Sequence, residues 1–399
     1  MDHNTVSQLC ERLHQQVATY KSGDESQRQK MLQSTTELMR AIETPSERIA
    51  RMCYPDIYLF LAVRILVDLN IFKIISDEKD AVTVAQLAER TGADGELLGR
   101  LLKHACTQGF VQEIGPDEYT ANGVTDKVAT PEGKGVIVDM FQTFAVGSKF
   151  PAFLKERKYQ NPTDKSDTGF MYGMGTQDPY FQYISRPGRE VEAEAFYNHM
   201  RFKTLGLKWH EMPGIVESVF GDYQAKNDEV LMIDVGGGSG HDLVSFRAAH
   251  PDVKGRLVLQ DLPETIRAAN AAGELAAKGI EAEEHDFFTP EKVTGARVYY
   301  LKMVLHDWPD EQCKQILANL KPSLQAGHSR ILLNEIIIPE VGAGWFETSV
   351  DMIMMCCHSA QERREKHWRS LIESVDGLEV NNIWNVDGAV EKVIEIMLK

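Results

Sequence analysis

A histidine and an aspartate, His306 and Asp307, stand directly after a mainly apolar segment that begins at Val298. Such a segment predicts a buried strand, and ligands bind at the carboxyl ends of strands in open α/β sheets. An imidazole there, with a pKa of about 6.5, can exchange a proton near neutral pH. Two plainer interpretations stay open. Asp307 with the following Pro309 also suits a helix start, and a lone histidine is more often structural than catalytic.

Two glutamates further along the chain favour a chemical role for His306. Glu335 lies inside the apolar run Leu332–Ile338, where a buried carboxylate costs several kcal/mol unless it has a partner. Glu362 begins the turn after a helix predicted over Thr348–Cys357, and a surface salt bridge would explain this residue equally well. Together the two acids are suited to stabilise a charged imidazolium.

A glycine-rich turn follows an apolar strand in the middle of the chain, and such turns bring backbone close to nucleotide-like ligands. Its pattern has glycines at three alternate positions, Gly236, Gly238 and Gly240. Asp234 precedes the first of them by two residues. A dinucleotide fingerprint would need a glycine where His241 stands. The spacing therefore disfavours a nicotinamide dinucleotide.

Acidic residues also follow the next two predicted strands. Asp261 stands where a carboxylate can accept both hydroxyls of a cofactor ribose, although it also suits a helix N-cap. Because NAD would use an acid at the same place, Asp261 indicates an adenosine-type nucleoside and not a particular cofactor. Asp286 and Phe287 follow the third strand, where an acid and an apolar ring suit the amino group and the face of an adenine.

These residues must be positioned by a sheet, and the sequence from residue 226 to 399 predicts a doubly wound parallel α/β fold. Apolar strands and helices alternate there, and one of the helices is predicted around Glu264–Gly279. The clearest predicted strands are Val230–Val235, Arg256–Gln260, Arg297–Lys302 and Arg330–Ile338. A closing pair of strands is predicted over about 378–385 and 390–397.

The first part of the chain has a different pattern. Residues 1–45 are polar and helix-prone, and they carry no recognisable chemistry. Residues 46–130 predict helix, turn, helix and hairpin, which is a winged-helix outline. DNA binding, structural packing and dimerisation are three interpretations of it. The second helix has no surplus of basic residues and the net charge of the chain is −16, so the sequence disfavours nucleic acid and favours a dimerisation module.

The intervening segment, residues 131–225, is predicted to be largely helical and is rich in Phe, Tyr and Met. Breaks are predicted near Pro162, Pro179 and Pro187. Most of its aromatic residues suit a helical core. Some would suit a pocket for a flat aromatic substrate, and periodicity does not separate the two groups.

Composition sets broader limits. With 399 residues, the chain is long enough for more than one domain. It has no apolar run long enough to span a membrane and no signal-peptide pattern at its start. Its six cysteines show neither zinc spacing nor a disulfide framework. We therefore expect a cytoplasmic protein without a membrane partner and without a metal.

Several motifs occur together and in one order. They are the glycine turn, Gln260-Asp-Leu-Pro263, His285-Asp-Phe-Phe288, His306-Asp-Trp308, Asn334-Glu335 and Gln361-Glu-Arg363. This ordered set resembles the plant caffeic-acid-type O-methyltransferases, which use S-adenosyl-L-methionine. It is most similar to their filamentous-fungal branch in secondary metabolism. The resemblance covers about residues 50–399 and implies a Rossmann-like methyltransferase domain behind an N-terminal, mainly helical winged-helix dimerisation domain.

The resemblance also implies roles for individual residues. His306 would be the general base that deprotonates a substrate hydroxyl, with Glu335 and Glu362 flanking its ring. Contacts to the cofactor would come from Asp234, Gly236, Gly238, Asp261, Leu262, Asp286, Phe287 and Lys302. Contacts to the substrate would come from Phe196, Met200, Asp307, Met352 and Met355. Around Glu362 the plant motif reads Gly-Lys-Glu-Arg-Thr, whereas this chain has Ala-Gln-Glu-Arg-Arg, so the plant substrates are not carried over.

The implied activity is methyl transfer to a phenolic or enolic hydroxyl of an aromatic or polyketide-type metabolite, by a homodimer. An alternative is a methyltransferase-fold pericyclase or cyclase that binds S-adenosylmethionine without transferring its methyl group. The intact set of His306, Glu335 and Glu362 favours methyl transfer over this alternative, because a reaction without proton abstraction has no need of it. A winged-helix regulator with a vestigial cofactor domain is a third, non-enzymatic interpretation.

Overall fold

A computed structural model describes residues 2–202, 207–221, 223, 225–226, 228–385 and 389–399. The chain divides into two compact units. The first unit contains the chain up to Phe141 together with Glu194–Phe202, and the second contains Gln142–Ala193 together with the chain after Phe202. Part of the predicted helical segment, at residues 203–206, 222 and 224, lies outside the described residues.

The first unit is mainly helical. Its helices are His3–Thr19, Glu25–Ile42, Pro45–Cys53, Pro55–Asp68, Ile71–Asp77, Val84–Thr91, Gly95–Thr107, Gly123–Ala129, the first part of Pro131–Glu156 and most of Glu190–Phe202. The first two are antiparallel neighbours that an Arg12–Glu37 ion pair joins. The helix-prone N-terminal segment therefore forms a helical hairpin.

The predicted helix, turn, helix and hairpin occur in that order within the first unit. Thr83 and Gln86 form a capping box that starts helix Val84–Thr91, and Gly92 ends it with a positive φ of 72°. Asp94 caps the next helix. The hairpin belongs to a three-stranded antiparallel sheet of β1 (Val82–Thr83), β2 (Gln112–Gly115) and β3 (Glu118–Thr120).

The second unit is built on a large mixed sheet. Its strands are β4 (Val230–Val235), β5 (Arg256–Asp261), β6 (Ile280–Glu284), β7 (Val298–Lys302), β8 (Arg330–Ile338), β9 (Arg363–Arg364), β10 (Leu378–Trp384) and β11 (Glu391–Leu398). The order across the sheet is β10-β11-β8-β7-β4-β5-β6, with β9 beside the end of β8. Strands β4 to β8 pair in parallel, as predicted.

The closing strands β10 and β11 are antiparallel to each other, and β11 is antiparallel to β8. The sequence predicted this pair of strands but not its direction. Because the chain between β10 and β11 is too short for a crossover helix, an antiparallel pairing is the arrangement it can reach. The sheet is thus parallel through the strands that carry the candidate site and antiparallel at one edge.

Helices cover both faces of this sheet, and two apolar clusters lie on its two sides. One cluster packs helices Asp310–Leu320 and Glu365–Glu373 onto β7 and β8. The other contains Trp209 and Phe246, whose rings stack with centroids 5.3 Å apart. This burial on both faces explains why the central strands are almost continuously apolar.

Two predicted helices differ in their bounds. The helix expected around Glu264–Gly279 is two helices, Pro263–Ala271 and Glu274–Ala277, because Gly273 between them adopts a positive φ of 74°. The helix expected from Thr348 begins earlier and covers Trp345–His358.

The predicted helical segment before the sheet contains short helices that include Gly169–Met174 and Tyr180–Ile184. Among the described residues, every helix is too short or too polar to cross a membrane.

Candidate active site

The carboxyl end of β7 carries the central residue of the site. After Lys302 the chain turns sharply, since Met303 adopts a left-handed conformation with φ of 51°. A left-handed methionine is strained, and such strain concentrates at functional sites. A short 3₁₀ turn, Leu305–Asp307, follows and places His306 in the interior with 2% of its surface exposed.

The two ring nitrogens of His306 face different partners. Nδ1 lies 2.7 Å from Oε1 of Glu362, a fully buried side chain. Nε2 lies 3.4 Å from Oδ1 of Asp307. Because an ionised carboxylate can only accept, the short contact requires the proton on Nδ1. In a neutral imidazole this leaves the lone pair on Nε2, which is the arrangement that a general base needs.

Glu335 lies beside the same turn but contacts its backbone. Its Oε1 accepts from the N–H of Leu305 at 2.8 Å and of Val304 at 3.2 Å. It is fully buried on β8, as its apolar surroundings in the sequence predict. Glu335 thus holds the start of the turn that carries His306, and it influences the imidazole through its charge.

These acids determine the basicity of the histidine. Burial alone would lower the pKa of His306, but the charges of Asp307 and Glu362 outweigh it, with a smaller contribution from Glu335, and raise the pKa to about 9. Burial raises the pKa of Glu335 to about 8, although the charge of His306 opposes the rise. The site is therefore built to hold a proton on the imidazole firmly.

The same three residues are also the one group within the described ranges that could hold a metal ion. One possible ligand atom from each of His306, Glu335 and Glu362 lies within 4.8 Å of the other two. Nδ1 of His306 and Oε1 of Glu362 are 2.7 Å apart. Two ligands on one tetrahedral zinc ion would stand about 3.3 Å apart, given metal–ligand bonds of about 2 Å. The short separation fits a shared proton better than a shared metal.

The glycine turn lies at the end of β4, on the same edge of the sheet. Gly236, Gly238 and Gly240 all have positive φ, between 60° and 74°. Gly237 is restricted for a different reason, because a Cβ there would lie 2.4 Å from the carboxylate of Asp234. A turn that only glycine can form leaves room for a ligand close to its backbone.

Asp261 closes the other side of this turn. One carboxylate oxygen accepts from the N–H of Gly238 at 2.8 Å, and the other accepts from the N–H of Leu262 at 2.7 Å. Burial raises the pKa of Asp261, and the hydrogen bond from Gly238 opposes that rise. The side chain of Leu262 is exposed.

Lys302, predicted to contact the cofactor, forms an ion pair with an acid that was not predicted from the sequence. Its Nζ lies 3.2 Å from both carboxylate oxygens of Asp242, in the first turn of helix His241–Ala249. Burial would lower the pKa of Lys302, but Asp242 outweighs it and the pKa is raised. Burial, with the charge of Asp242, also raises the pKa of Asp234. An acid two residues after the last glycine, at the start of a predicted helix, was the available signal.

Phe287 lies next to the glycine turn. A Cβ added to Gly236 would come within 3.3 Å of its ring. Asp286, which precedes it, is exposed, and its carboxylate accepts from the N–H of Phe288 at 2.9 Å. The residues predicted for the cofactor thus surround one turn in the second unit.

The predicted substrate contacts are divided between the units. Phe196 and Met200 belong to the first unit, on helix Glu190–Phe202. In the second unit, Met352 is 51% exposed. Met355 lines a cleft of about 1020 Å³ whose wall also contains Glu362.

A group of aromatic residues lies near Asp307, and the sequence did not predict a role for them. Nε2 of His358 lies 4.0 Å from Oδ1 of Asp307. The ring of Phe181 lies 5.3 Å from that of His358 and 6.4 Å from that of Trp308, measured between centroids. The Nε2 side of His306 therefore faces Asp307, and an aromatic wall adjoins that aspartate.

A glycine turn and a buried histidine–glutamate pair lie at one edge of an α/β sheet, which is the arrangement that the resemblance to methyltransferases implies. Residues 210–377 match the model of a family described as the O-methyltransferase domain. The chain is 35% identical over 315 residues to demethylsterigmatocystin 6-O-methyltransferase of Aspergillus parasiticus, covering 79% of this chain and 78% of that protein. It is 32% identical over 365 residues to O-methyltransferase lepI of Aspergillus flavus, covering 90% of each. The chain belongs to the O-methyltransferase family.

Solved structures agree with this assignment. The structure of LepI in complex with SAM superposes with a TM-score of 0.88 at 29% identity and covers 99% of both chains. A structure described as a pericyclic reaction enzyme gives the same TM-score and identity over 100% of both chains. OxaC, at 24% identity and a TM-score of 0.86, shows the fold alone. The predicted resemblance to the fungal branch is confirmed by these relatives.

Proposed function

We propose that this protein transfers the methyl group of S-adenosyl-L-methionine to a phenolic or enolic hydroxyl, with His306 as the general base. The observation that carries the proposal is the 2.7 Å contact between Nδ1 of His306 and the buried carboxylate of Glu362. This contact orients the imidazole and leaves Nε2 for the hydroxyl of the acceptor. Positioning of this kind is what general-base catalysis requires.

The energetics of proton transfer support this role. A phenol has a pKa of about 10, so transfer to an ordinary histidine costs about 5 kcal/mol. With the pKa of His306 raised to about 9, the same transfer costs about 1.4 kcal/mol. The acids beside His306 therefore lower the cost of the transfer step itself, which takes place in enzyme molecules whose imidazole has already lost its proton.

The residues around the glycine turn fit the cofactor. Gly236 and Gly238 would face it closely, Asp261 would bind its ribose and Phe287 would cover its adenine. The charged pair of Lys302 and Asp242 would lie near its amino-acid end. Asp286 would meet the adenine amino group, and Asp234 and Leu262 complete the predicted contact set. When bound, S-adenosylmethionine supplies an electrophilic methyl group on a positively charged sulfur.

The aromatic wall suggests the class of acceptor. Since Glu362 occupies Nδ1 of His306, the acceptor hydroxyl belongs on the side of Nε2 and Asp307. Phe181 and Trp308 stand beside that aspartate and suit a flat ring. The relative from Aspergillus parasiticus is named for demethylsterigmatocystin, which supports an aromatic polyketide-type metabolite. Phe196, Met200, Met352 and Met355 remain predicted contacts to it.

One observation favours a second function. The structure described as a pericyclic reaction enzyme superposes over the whole chain at 29% identity. A pericyclase or cyclase that binds S-adenosylmethionine without consuming it is therefore the second candidate. The buried pair of His306 and Glu362 supports methyl transfer instead, because a pericyclic step needs no general base.

The test is His306→Ala, with His210→Ala as a matched control. His210 is also buried in the second unit, where it contacts Ser245 through Nε2 at 3.2 Å and has no contact with the glutamates. His306→Ala should keep cofactor binding and lose about 10²-fold or more in methyl transfer. Unchanged turnover in this variant would refute the role of His306. Product formed without S-adenosylhomocysteine would favour the pericyclase.

We also propose that the first unit is a winged-helix module through which the protein forms a homodimer in the cytoplasm. Large apolar side chains are exposed on its helices, including Ile49 at 62% and Met52 at 59%. Such a patch is typical of an interface with another subunit. All six cysteines are free thiols, which fits a reducing compartment. Ile49→Glu should yield monomers in light scattering, whereas Val341→Glu, at a position 89% exposed in the second unit, should not.

A further inference from the structure

We propose that Arg363 is a positioning residue for His306, holding the turn that carries the imidazole. The inference rests on the proposed function of His306 as the base. Arg363 follows Glu362 in the sequence, and its side chain is fully buried. A guanidinium is costly to bury unless all its donors are used, so its partners indicate what it is there to hold.

Two of the partners of Arg363 are the backbone carbonyls on either side of His306 and Asp307. Nη1 donates to the carbonyl of Leu305 at 3.1 Å, and Nη2 donates to the carbonyl of Trp308 at 2.7 Å. These residues directly precede His306 and directly follow Asp307. The guanidinium therefore spans the turn from one end to the other.

The charge of Arg363 is balanced next to the turn. Its Nε donates to Oδ1 of Asp310 at 2.9 Å, and Nε2 of His367 lies 2.7 Å from the other oxygen of that aspartate. The guanidinium carbon also lies 5.0 Å from the centre of the Trp368 ring. Charge, hydrogen bonds and packing all fix the guanidinium in one orientation.

Neighbouring positions in an extended strand point their side chains to opposite sides. Glu362 directly precedes β9, where Arg363 pairs with Ile337 of β8. Glu362 can therefore reach the ring of His306 while Arg363 reaches the backbone. Three side chains therefore hold the turn. Glu335 accepts from its N–H groups, Arg363 donates to its carbonyls, and Glu362 bonds the imidazole of His306.

The alternative is that Arg363 only stabilises the fold, and the chain offers a matched control. Arg330, at the opposite end of β8, also bonds an acidic side chain and two backbone carbonyls, although its acid, Glu395, is buried and Asp310 is only partly buried. Its Nε donates to Glu395 at 2.9 Å, and its Nη1 donates to the carbonyls of His328 and Ser329 at 3.1 and 3.2 Å. It has the same chemistry as Arg363 but no contact with the turn.

The experiment compares Arg363→Lys with Arg330→Lys. Lysine keeps the charge but lacks the planar fork that spans two carbonyls. Both variants should lose stability in thermal unfolding. Only Arg363→Lys should lower kcat for methyl transfer, by about 10- to 10²-fold, while the Kd for S-adenosylmethionine stays within about twofold of wild type. The expected loss is of the size seen when a reacting group is misplaced by about 1 Å.

A readout independent of activity is the ¹⁵N spectrum of histidine-labelled protein, in which His306 is assigned by its loss in His306→Ala. The resonances of the imidazole should shift in Arg363→Lys and stay in place in Arg330→Lys. Unchanged resonances and kcat in a folded Arg363→Lys protein would overturn the proposal. Equal losses of kcat in the two variants would do so as well.

Should Arg363→Lys fail to fold, Asp310→Asn supplies the second variant, because it frees the guanidinium from its partner while leaving Arg363 in place. A shift of the His306 resonances in that variant would support the proposal, and unchanged resonances would contradict it. The two proposals also fail differently. A wild-type protein without methyl transfer but with shifted resonances in Arg363→Lys would refute the proposed function and leave the positioning role intact.

Discussion

Glu362→Gln should weaken His306 as a base while it keeps a hydrogen-bond partner for Nδ1. Glutamine has the same length, and its amide oxygen can still accept the proton that Glu362 accepts at 2.7 Å. The substitution removes the negative charge alone. The change therefore separates the electrostatic role of Glu362 from its role in orienting the ring.

The magnitude follows from the pKa of His306. Its value of about 9 lies well above that of a free histidine, which is about 6.5, and the difference corresponds to roughly 3 kcal/mol. Asp307 and Glu362 contribute most of this rise, and Glu335 contributes less. Glu362 contributes both its charge and its hydrogen bond to this rise, so the loss of its charge raises the cost of proton transfer by roughly 1 to 3 kcal/mol. We expect the kcat plateau at high pH to fall by about 10- to 10²-fold.

The pH dependence has a definite direction. A general base acts in its deprotonated form, so the rate should rise with pH and level off above the pKa of His306. In Glu362→Gln the inflection should lie at lower pH than in wild type, with a lower plateau. Saturating S-adenosylmethionine places the same positive charge near both proteins, so the comparison between them is preserved.

The assay is transfer of a labelled methyl group to a phenolic acceptor between about pH 6 and 10. Glu395→Gln is the control, since Glu395 is equally buried but bonds Arg330 and Asn381. The control should lose stability without moving the inflection. An inflection and a plateau that match wild type in Glu362→Gln would refute the electrostatic role of this glutamate.

Three further predictions concern the same edge of the sheet. Gly237→Ala should destabilise the protein and weaken S-adenosylmethionine binding more than Gly238→Ala, in calorimetry. A Cβ at 237 would meet Asp234 at 2.4 Å, whereas one at 238 meets no atom and strains only the left-handed backbone there, whose φ is 60°; equal effects would contradict this account. The pKa of His306, followed by NMR, should fall more with S-adenosylmethionine than with S-adenosylhomocysteine, whose sulfur is uncharged, since a positive charge disfavours the imidazolium. The opposite order would contradict a nearby sulfonium. The pKa of Glu335 is raised to about 8 by burial, so the contribution of this residue to wild-type stability falls as pH rises from about 4.5 to 8. In denaturant unfolding, Glu335→Gln should therefore be more stable than wild type above pH 8 but not near pH 5.

Much of the fold could be predicted from local patterns. The apolar strands β4, β5, β7 and β8 and the glycine turn are encoded by residue types within a few positions of one another, so the parallel core and the position of the glycine turn followed from the sequence. The position of Glu335 within an apolar run also indicated a buried acid. The antiparallel direction of β11 did not follow, because strand direction depends on pairing across the sheet.

Within the candidate site, the sequence by itself determined which residues could do chemistry, and the tertiary structure decided what each one touches. β7 pairs with β8 so that Lys302 lies opposite Asn334, and this register brings Glu335 to the backbone after β7 instead of to the imidazole ring. Contacts such as that of Arg363 with Leu305 join residues 58 positions apart. Periodicity records which face of an element is buried, whereas strand order, register and turn geometry select the partner, and these arise only when the elements pack.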